Sequence, residues 1–279
     1  MRPIEDTVVL ITGATDGLGR GVARELHARR ARVLLHGRDR ERLDALAREL
    51  ATDGEAAPTF LADLASLDEV RAMADEVERS VPKLHVLINN AGIGSGMPDG
   101  RERRESRDGH ELRLAVNHLA GFLLTLRLLP LLRRSAPARV VHVASLGQAP
   151  MDFGDPMLER SYSGSRAYGQ SKLAQITTGL ELAQRLDPDE VTVTSLHPST
   201  YMPTKMVLEE VGSSVDSLED GVAATVRLAI DPALEGVTGR FYDRQVETAP
   251  HPQAHDPAAR RRLWDLSLRL TGAPDVTGS

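Results

Sequence analysis

A tyrosine and a lysine stand four residues apart, at Tyr168 and Lys172, in a segment that we predict to be helical. Residues at i and i+4 share one helical face, so the phenol and the ammonium can face the same space. A tyrosine normally titrates near pH ~10, but a cation beside it stabilises the phenolate and makes it usable in general acid–base catalysis. The same spacing also arises by chance in exposed helices, so this pair needs support from the rest of the chain.

A second group of candidate residues lies in a glycine-rich segment, 12–19, between an apolar run and a predicted helix. Glycines at such a turn let the backbone bend tightly and approach a pyrophosphate at the helix N-terminus. The spacing differs from the common Gly-x-Gly-x-x-Gly pattern, and a plain turn without a ligand is the alternative. Its position after the first strand favours nucleotide binding by Gly13, Thr15, Asp16, Gly17, Leu18 and Gly19.

An alternation of strands and helices must position these residues. Short apolar runs predict strands at 8–11, 32–36, 58–61, 86–88, 140–143, 191–196 and 239–242. Helical spacing predicts helices at 22–30, 40–50, 67–81, 111–132, 168–186, 218–229 and 260–270, the third with a reciprocal cap formed by Ser66 and Glu69. Such alternation requires a parallel sheet covered on both faces. We therefore predict an α/β fold with one doubly wound parallel sheet, flanked by helices on both faces.

We predict a single domain over residues 1–279, because the chain shows no repeat, low-complexity segment or linker. Ligand should bind at the carboxyl ends of the strands. Three segments lack regular patterning: a polar variable loop at 94–110, an insert at 146–165, and a segment at 200–216. The last is predicted to be a substrate lid, with Met202 and Met206 as adaptable apolar contacts.

The composition is that of a soluble globular protein, with 41% apolar and 27% charged residues. A net charge of −6 argues against a nucleic-acid surface, and the lack of cysteine excludes thiol catalysis and disulfides. The histidines are scattered singly, so no metal site is predicted. No secretory signal pattern precedes the first strand, and the apolar stretch 119–132 is too short for a membrane span. We expect a cytoplasmic protein.

The ordered motifs resemble those of the short-chain dehydrogenase/reductase family. They are Thr-Gly-x-x-x-Gly-x-Gly at 12–19, Asn89-Asn90-Ala91-Gly92 after the fourth strand, Asn117 in the long helix, Ser145 after the fifth strand, and Tyr168 with Lys172. The resemblance covers about residues 5–270. It implies a Rossmann-type fold and hydride transfer between a nicotinamide cofactor and a carbonyl or alcohol, with Asn90, Ala91, Gly92, Pro198 and Thr200 also at the cofactor.

The resemblance also implies a role for each catalytic residue. Tyr168 would exchange a proton with the substrate oxygen, and Ser145 would hydrogen-bond that oxygen. Lys172 would hold the nicotinamide ribose and lower the pKa of Tyr168. Asn117 would support a water that links Lys172 to solvent; the alternative is a buried polar group that bends its helix. Nearby Tyr162 lacks a lysine partner, because Arg166 occupies its i+4 position.

The cofactor choice depends on the end of the second strand, which reads His36-Gly37-Arg38. A basic residue there accommodates a 2′-phosphate, so Arg38 predicts NADP(H) over NAD(H), although a solvated arginine is the alternative. Asp16 is a contrary sign, because some NADP-preferring relatives carry a basic residue at its position. Asp63 and Leu64 resemble the adenine-contacting pair of the family, and a helix cap is the other explanation for Asp63.

The insert and the segments 108–111 and 116–125 resemble the retinol-dehydrogenase-like branch, whose members often act on bulky apolar aldehydes and ketones with NADP(H). One departure is Ser199, where the family usually has glycine after Pro198. We therefore predict an NADP(H)-dependent oxidoreductase of a small-molecule carbonyl or alcohol. A non-catalytic NADP-binding regulator or scaffold, or a lyase or epimerase acting on a sugar nucleotide, are the alternatives. The resemblance allows a homodimer or homotetramer, and also a monomer.

Overall fold

An eight-stranded sheet organises the computed structural model, which describes residues 3–96, 100–200 and 216–275. Seven strands are parallel and the eighth joins the edge antiparallel, in the order β3-β2-β1-β4-β5-β6-β7-β8. The order reverses between β1 and β4, which places a ligand crevice at their carboxyl ends. The strands are β1 (Val8–Ile11), β2 (Arg32–Gly37), β3 (Thr59–Leu61), β4 (Val86–Asn89), β5 (Ala138–Val143), β6 (Val191–His197), β7 (Arg240–Asp243) and β8 (Val246–Glu247).

Helices cover both faces of this sheet, as predicted. They are α1 (Gly17–Ala28), α2 (Arg40–Glu49), α3 (Leu67–Ser80), the short α4 (Leu112–Leu114), α5 (Ala120–Arg134), α6 (Gly164–Arg185), α7 (Leu218–Ile230) and α8 (Pro257–Thr271). Successive strand residues point to opposite faces, so both sides of a covered strand must be apolar. Val9 and Val141 pack on the side of α1, α2 and α7, whereas Leu10 and Val140 pack on the side of α3, α5 and α8.

The largest differences from the prediction lie at helix ends. Helix α1 begins at Gly17 rather than at residue 22, and α6 begins at Gly164 rather than at residue 168. Both first turns contain glycines, which have low helix propensity. They are stabilised instead by caps: Asp16 accepts a hydrogen bond from the Gly17 amide, and Ser163 accepts one from the Arg166 amide.

The predicted helix 111–132 is divided by a π-helical stretch, Ala115–Leu119, between α4 and α5. The whole helical segment Leu112–Arg134 has 23 residues and is long and apolar enough to cross a membrane, so our length argument was wrong. In the fold, 78% of its most apolar window is buried, as in the core helix of a soluble protein. Strand β8 was not predicted at all, because two residues carry too little periodicity.

Helix α8 packs against α5 and α6 through its tryptophan. The Trp264 ring lies edge-on to Phe122 with ring centroids 5.0 Å apart, and the Arg185 guanidinium lies 4.4 Å from the Trp264 ring centroid. His118 Nε2 and Ser267 Oγ are 2.8 Å apart beside this contact. Trp264 is only 1% exposed, so it closes the core on this face.

We expect Trp264→Ala to lower the free energy of unfolding by about 3–5 kcal/mol, the usual cost of truncating a large buried aromatic residue. Urea unfolding followed by far-ultraviolet circular dichroism measures the change. Val246→Ala is the control, because Val246 is 69% exposed and its truncation should have almost no effect. Equal stability of the two variants would contradict a core role for α8.

Candidate active site

Tyr168, Lys172 and Ser145 converge where β5 ends. Lys172 Nζ donates to the Val143 carbonyl at 2.9 Å and lies 5.9 Å from the centroid of the Tyr168 ring. A Cβ atom built on Gly147 would lie 3.4 Å from Ser145 Oγ and 3.6 Å from Tyr168 Cε1. The hydroxyl and the phenol ring therefore flank the same glycine, and the ammonium lies beneath the ring.

The lysine is buried, and its burial lowers its pKa to about 8. The ammonium form still predominates at pH 7, so a cation lies beside the phenol. A Cβ atom on Gly92 would lie only 3.4 Å from Lys172 Nζ and 3.1 Å from Asn117 Oδ1. A larger residue at position 92 would press on both groups, which explains glycine at this place.

Asn117 joins the segment after β4 to the helix of the catalytic pair. Its Oδ1 accepts from the Ile93 amide at 2.8 Å, while its Nδ2 donates to the Ile93 carbonyl at 3.1 Å and to Ser171 Oγ at 3.0 Å. Both amide hydrogens are thus used within the protein. Asn117 is buried in the π-helical stretch, which agrees with the explanation of a buried polar group at a distorted part of its helix; its role toward a water stays a prediction.

The glycine loop is interlocked with the segment after β4. Asn90 Nδ2 donates to the carbonyls of Thr12 at 2.8 Å and Gly13 at 3.2 Å, and Thr12 Oγ1 accepts from the amides of Asn90 and Ala91. A Cβ atom on Gly19 would lie 2.2 Å from the Gly13 carbonyl oxygen and 2.5 Å from Asn90 Nδ2. No other residue type fits at position 19 without moving this backbone.

The N-terminus of α1 fits a pyrophosphate. The Asp16 carboxylate accepts a hydrogen bond from the Gly17 amide. Helix geometry leaves the next amides, those of Leu18 and Gly19, without an intrahelical acceptor. Gly13 has φ +65°, so the chain turns there in a conformation that favours glycine. Thr15 lies against Gly37, where a Cβ atom would be 2.7 Å from Thr15 Cγ2, so β2 and the loop are in direct contact.

His36 braces the loop, a role that the sequence did not indicate. Its Nδ1 accepts from the Gly13 amide at 3.1 Å, so Nε2 carries the proton and donates to the Ala62 carbonyl at 3.1 Å. Complete burial lowers the pKa of His36 to about 4, which keeps the ring neutral at pH 7. The neutral ring is required here, because only an unprotonated Nδ1 can accept the bond from Gly13.

Arg38 is exposed after β2 and makes no hydrogen bond or ion pair with the described part of the chain. Its guanidinium is therefore available to a ligand. Arg42, one helical turn later, lies 3.4 Å from Asp16 Oδ2. The negative charge of Asp16, which argued against a 2′-phosphate, is thus paired with a second arginine.

Asp63 is not a helix cap. The cap of α3 is Ser66, whose Oγ accepts from the Glu69 amide at 3.3 Å, whereas Asp63 Oδ1 accepts from the Ala65 amide at 3.0 Å. The predicted reciprocal cap was wrong in one half, because Glu69 Oε2 accepts from the Asp63 amide and not from Ser66. Leu64 is buried in the core beneath this turn.

After β6, Pro198 is buried and Thr200 is partly exposed, with Thr200 Oγ1 3.0 Å from His197 Nε2. The remainder of the predicted lid, 201–215 with Met202 and Met206, lies outside the described residues. Pro198 and Thr200, which were predicted to lie at the nicotinamide of the cofactor, are therefore both among the described residues.

The other nearby tyrosine, Tyr162, belongs to a different network. Its hydroxyl accepts from Nη1 of the fully buried Arg113 and donates to Glu111 Oε1 at 3.4 Å. Arg113 also donates to the carbonyls of Gly94 at 2.7 Å and Ser95 at 2.8 Å. The arginine therefore links the variable loop to the insert, a contact that spacing in the sequence could not reveal.

A sequence profile of the short chain dehydrogenase family matches residues 7–212. Retinol dehydrogenase 14 of Mus musculus is 38% identical over an alignment of 291 positions, gaps included, which covers 95% of this chain and 85% of the relative. A solved structure of an uncharacterized protein from Mycobacterium paratuberculosis has 29% identity and a TM-score of 0.74, covering 96% and 94% of the two chains. The NADP active-site complex of RhlG from Pseudomonas aeruginosa has 26% identity and a TM-score of 0.69, covering 87% and 97%.

With its doubly wound sheet and its converging serine, tyrosine and lysine, the chain belongs to the short-chain dehydrogenase/reductase family of oxidoreductases. Within that family it lies in the retinol-dehydrogenase-like branch, since relatives of that name align with it over almost its whole length. Both predictions of class made from the motifs are confirmed.

Buried neutral histidines make stability depend on pH. Burial lowers the pKa of His36 and His142 to about 4 and that of His118 to about 3, from 6.5. The unfolded chain then binds more protons below pH ~6.5, so we expect the free energy of unfolding to fall from pH 7 to 5. Each histidine contributes at most about 1.4 kcal/mol per pH unit. His36→Asn keeps an acceptor for Gly13 and should reduce this slope in urea-unfolding measurements; an unchanged slope would contradict the neutral ring.

Proposed function

We propose that the protein is an NADP(H)-dependent oxidoreductase that interconverts a carbonyl and an alcohol. The observation that carries this proposal is the convergence of Ser145, Tyr168 and Lys172 at the carboxyl end of β5, beside the glycine cradle at the β1–β4 switch point. When bound, the cofactor supplies or accepts hydride at its nicotinamide ring. The glycines at 13, 19 and 92 let the loop after β1 and the segment after β4 pack closely together, and these glycines with Asn90 are the candidate residues that would hold the cofactor.

The protein groups divide the remaining work. Tyr168 donates a proton to the substrate oxygen during reduction and removes it during oxidation. Ser145 donates a hydrogen bond to the same oxygen as negative charge develops on it. Lys172, fixed by the Val143 carbonyl, places a cation beside the phenol and so favours the phenolate.

The substrate is proposed to be apolar and bulky. Leu146, which immediately follows Ser145 in the chain, is 47% exposed, so one apolar side chain next to the candidate hydroxyl is accessible to a ligand. The name of the retinol dehydrogenases, to which this chain is similar, is consistent with an apolar alcohol or aldehyde.

We also propose a cytoplasmic location, on composition alone.

Tyr168→Phe tests the proton donor. It removes one oxygen, so we expect kcat for carbonyl reduction to fall by about 10²–10⁴, the usual contribution of general acid catalysis, while NADPH binding changes less than about twofold. Absorbance of NADPH measures turnover, and its fluorescence measures binding. Tyr242→Phe, on the remote strand β7, is the control and should keep full activity. Undiminished reduction by Tyr168→Phe would refute the role of Tyr168 as proton donor.

Arg38→Ala tests the cofactor choice. Charge-assisted hydrogen bonds to a 2′-phosphate contribute about 1.5–3 kcal/mol, so the Kd of NADPH should rise about 10–100-fold while the Kd of NADH hardly changes. Arg40→Ala removes the same charge two residues away, from a side chain that faces Asp44 at 3.8 Å, and serves as control. Equal losses for NADPH and NADH would refute a phosphate role for Arg38.

A further inference from the structure

The carboxylate of Asp216 links the two parts of the chain that flank residues 201–215. Asp216 Oδ2 accepts from Ser199 Oγ at 2.9 Å, from the Thr200 amide at 2.8 Å and from Arg244 Nη2 at 2.5 Å. In the reverse direction, the Asp216 amide donates to the Thr200 carbonyl at 3.1 Å. The two residues that flank this segment are therefore bonded to each other through both backbone and side chain.

Arg244 brings the far edge of the sheet into this cluster. It lies in the turn between β7 and β8 with φ +53°, and its amide donates to the His197 carbonyl at 2.7 Å. His197 in turn lies 3.0 Å from the Thr200 hydroxyl. Thr200 is thus held at its amide and carbonyl by Asp216 and at its side chain by His197, and Arg244 bonds to both of these residues.

Ser199 takes part as a donor. It is only 4% exposed, and its hydroxyl is directed to Asp216 rather than to solvent. A glycine at this position could not make the bond, so the serine adds a tether at the place where related chains usually have none. Arg244, the Thr200 amide and Ser199 together lower the pKa of Asp216 to about 2. Asp216 is therefore a carboxylate at neutral pH, as an acceptor of three hydrogen bonds must be.

We propose that Asp216 is a positioning residue that, together with Arg244 and Ser199, fixes Thr200 at the nicotinamide end of the cofactor site. This inference rests on the proposed function, because the assignment of Thr200 to the nicotinamide gives the cluster its role. Asp216 acts through Thr200 and does not itself touch the reacting atoms. Its effect is therefore confined to one end of the cofactor.

The test compares two ligands on the full-length protein. NADPH spans the whole site, whereas 2′,5′-ADP carries the adenine and the 2′-phosphate but lacks the nicotinamide. Asp216→Ala should raise the Kd of NADPH about 5–20-fold, equivalent to about 1–2 kcal/mol at 1.4 kcal/mol per factor of ten, and leave the Kd of 2′,5′-ADP unchanged. Isothermal titration calorimetry measures both ligands.

Asp216→Asn keeps the size of the side chain and an acceptor for Thr200 but loses the charge that holds Arg244, so it should give a smaller loss of NADPH affinity. Ser199→Ala should also weaken NADPH alone, by about two- to fivefold, as expected for loss of one hydrogen bond. Glu247→Ala breaks the 3.1 Å pair with Arg240 within the β7–β8 hairpin that also carries Arg244, but leaves Arg244 and Asp216 intact, so it should change neither ligand.

The outcomes separate this inference from the proposed function. Unchanged NADPH binding in Asp216→Asn and Asp216→Ala, or equal weakening of both ligands, overturns the positioning role. If the unaltered protein binds neither ligand, the proposed function fails first. Arg38→Ala should instead weaken the binding of both 2′,5′-ADP and NADPH. The contrast with Asp216→Ala would show that the two ligands report on the two ends of the site separately.

Discussion

The bond from Lys172 to the Val143 carbonyl is the contact on which the site depends. A buried ammonium is costly unless polar groups surround it, and here the carbonyl at the end of β5 is one fixed acceptor. The face of α6 that carries Lys172 also carries Tyr168, whose ring lies beside Ser145 at Gly147. The glycine at position 92 leaves room for the same ammonium and for the side chain of Asn117.

The elements of the fold could be predicted from the sequence because their signals are local. Strand β1 occupies the predicted residues, and α3 differs by one residue at its end, since apolar periodicity is a property of the segment itself. The candidate pair Tyr168 and Lys172 was also recognised from local spacing. The same local reasoning missed the first turns of α1 and α6. Each turn contains glycine, which has a low helix propensity, but the side-chain caps stabilise the turn nevertheless.

The supports of the site could not be predicted, because their partners are distant in the chain. His36 connects Gly13 to Ala62, and Asp216 meets Arg244 from 28 residues away. Arg113 falls within the predicted helix 111–132, and its spacing gives no sign of its partners, yet it is completely buried and donates to the carbonyls of Gly94 and Ser95. Only folding brings such donors and acceptors together. A sequence motif can therefore indicate the candidate reacting groups, but it does not indicate the side chains that hold them in position.

The two ends of the proposed cofactor site differ in their physical character. At the adenine end the charged groups are exposed: Arg38 is solvated, and the ion pair of Arg42 with Asp16 is accessible to water and salt. At the nicotinamide end Lys172 and Ser199 are buried and bonded to specific partners. Changing an exposed arginine leaves the core intact, whereas changing a buried partner leaves a polar group unsatisfied. A change at Arg38 should therefore leave the positions of Tyr168 and Lys172 undisturbed, because no described contact joins Arg38 to α6.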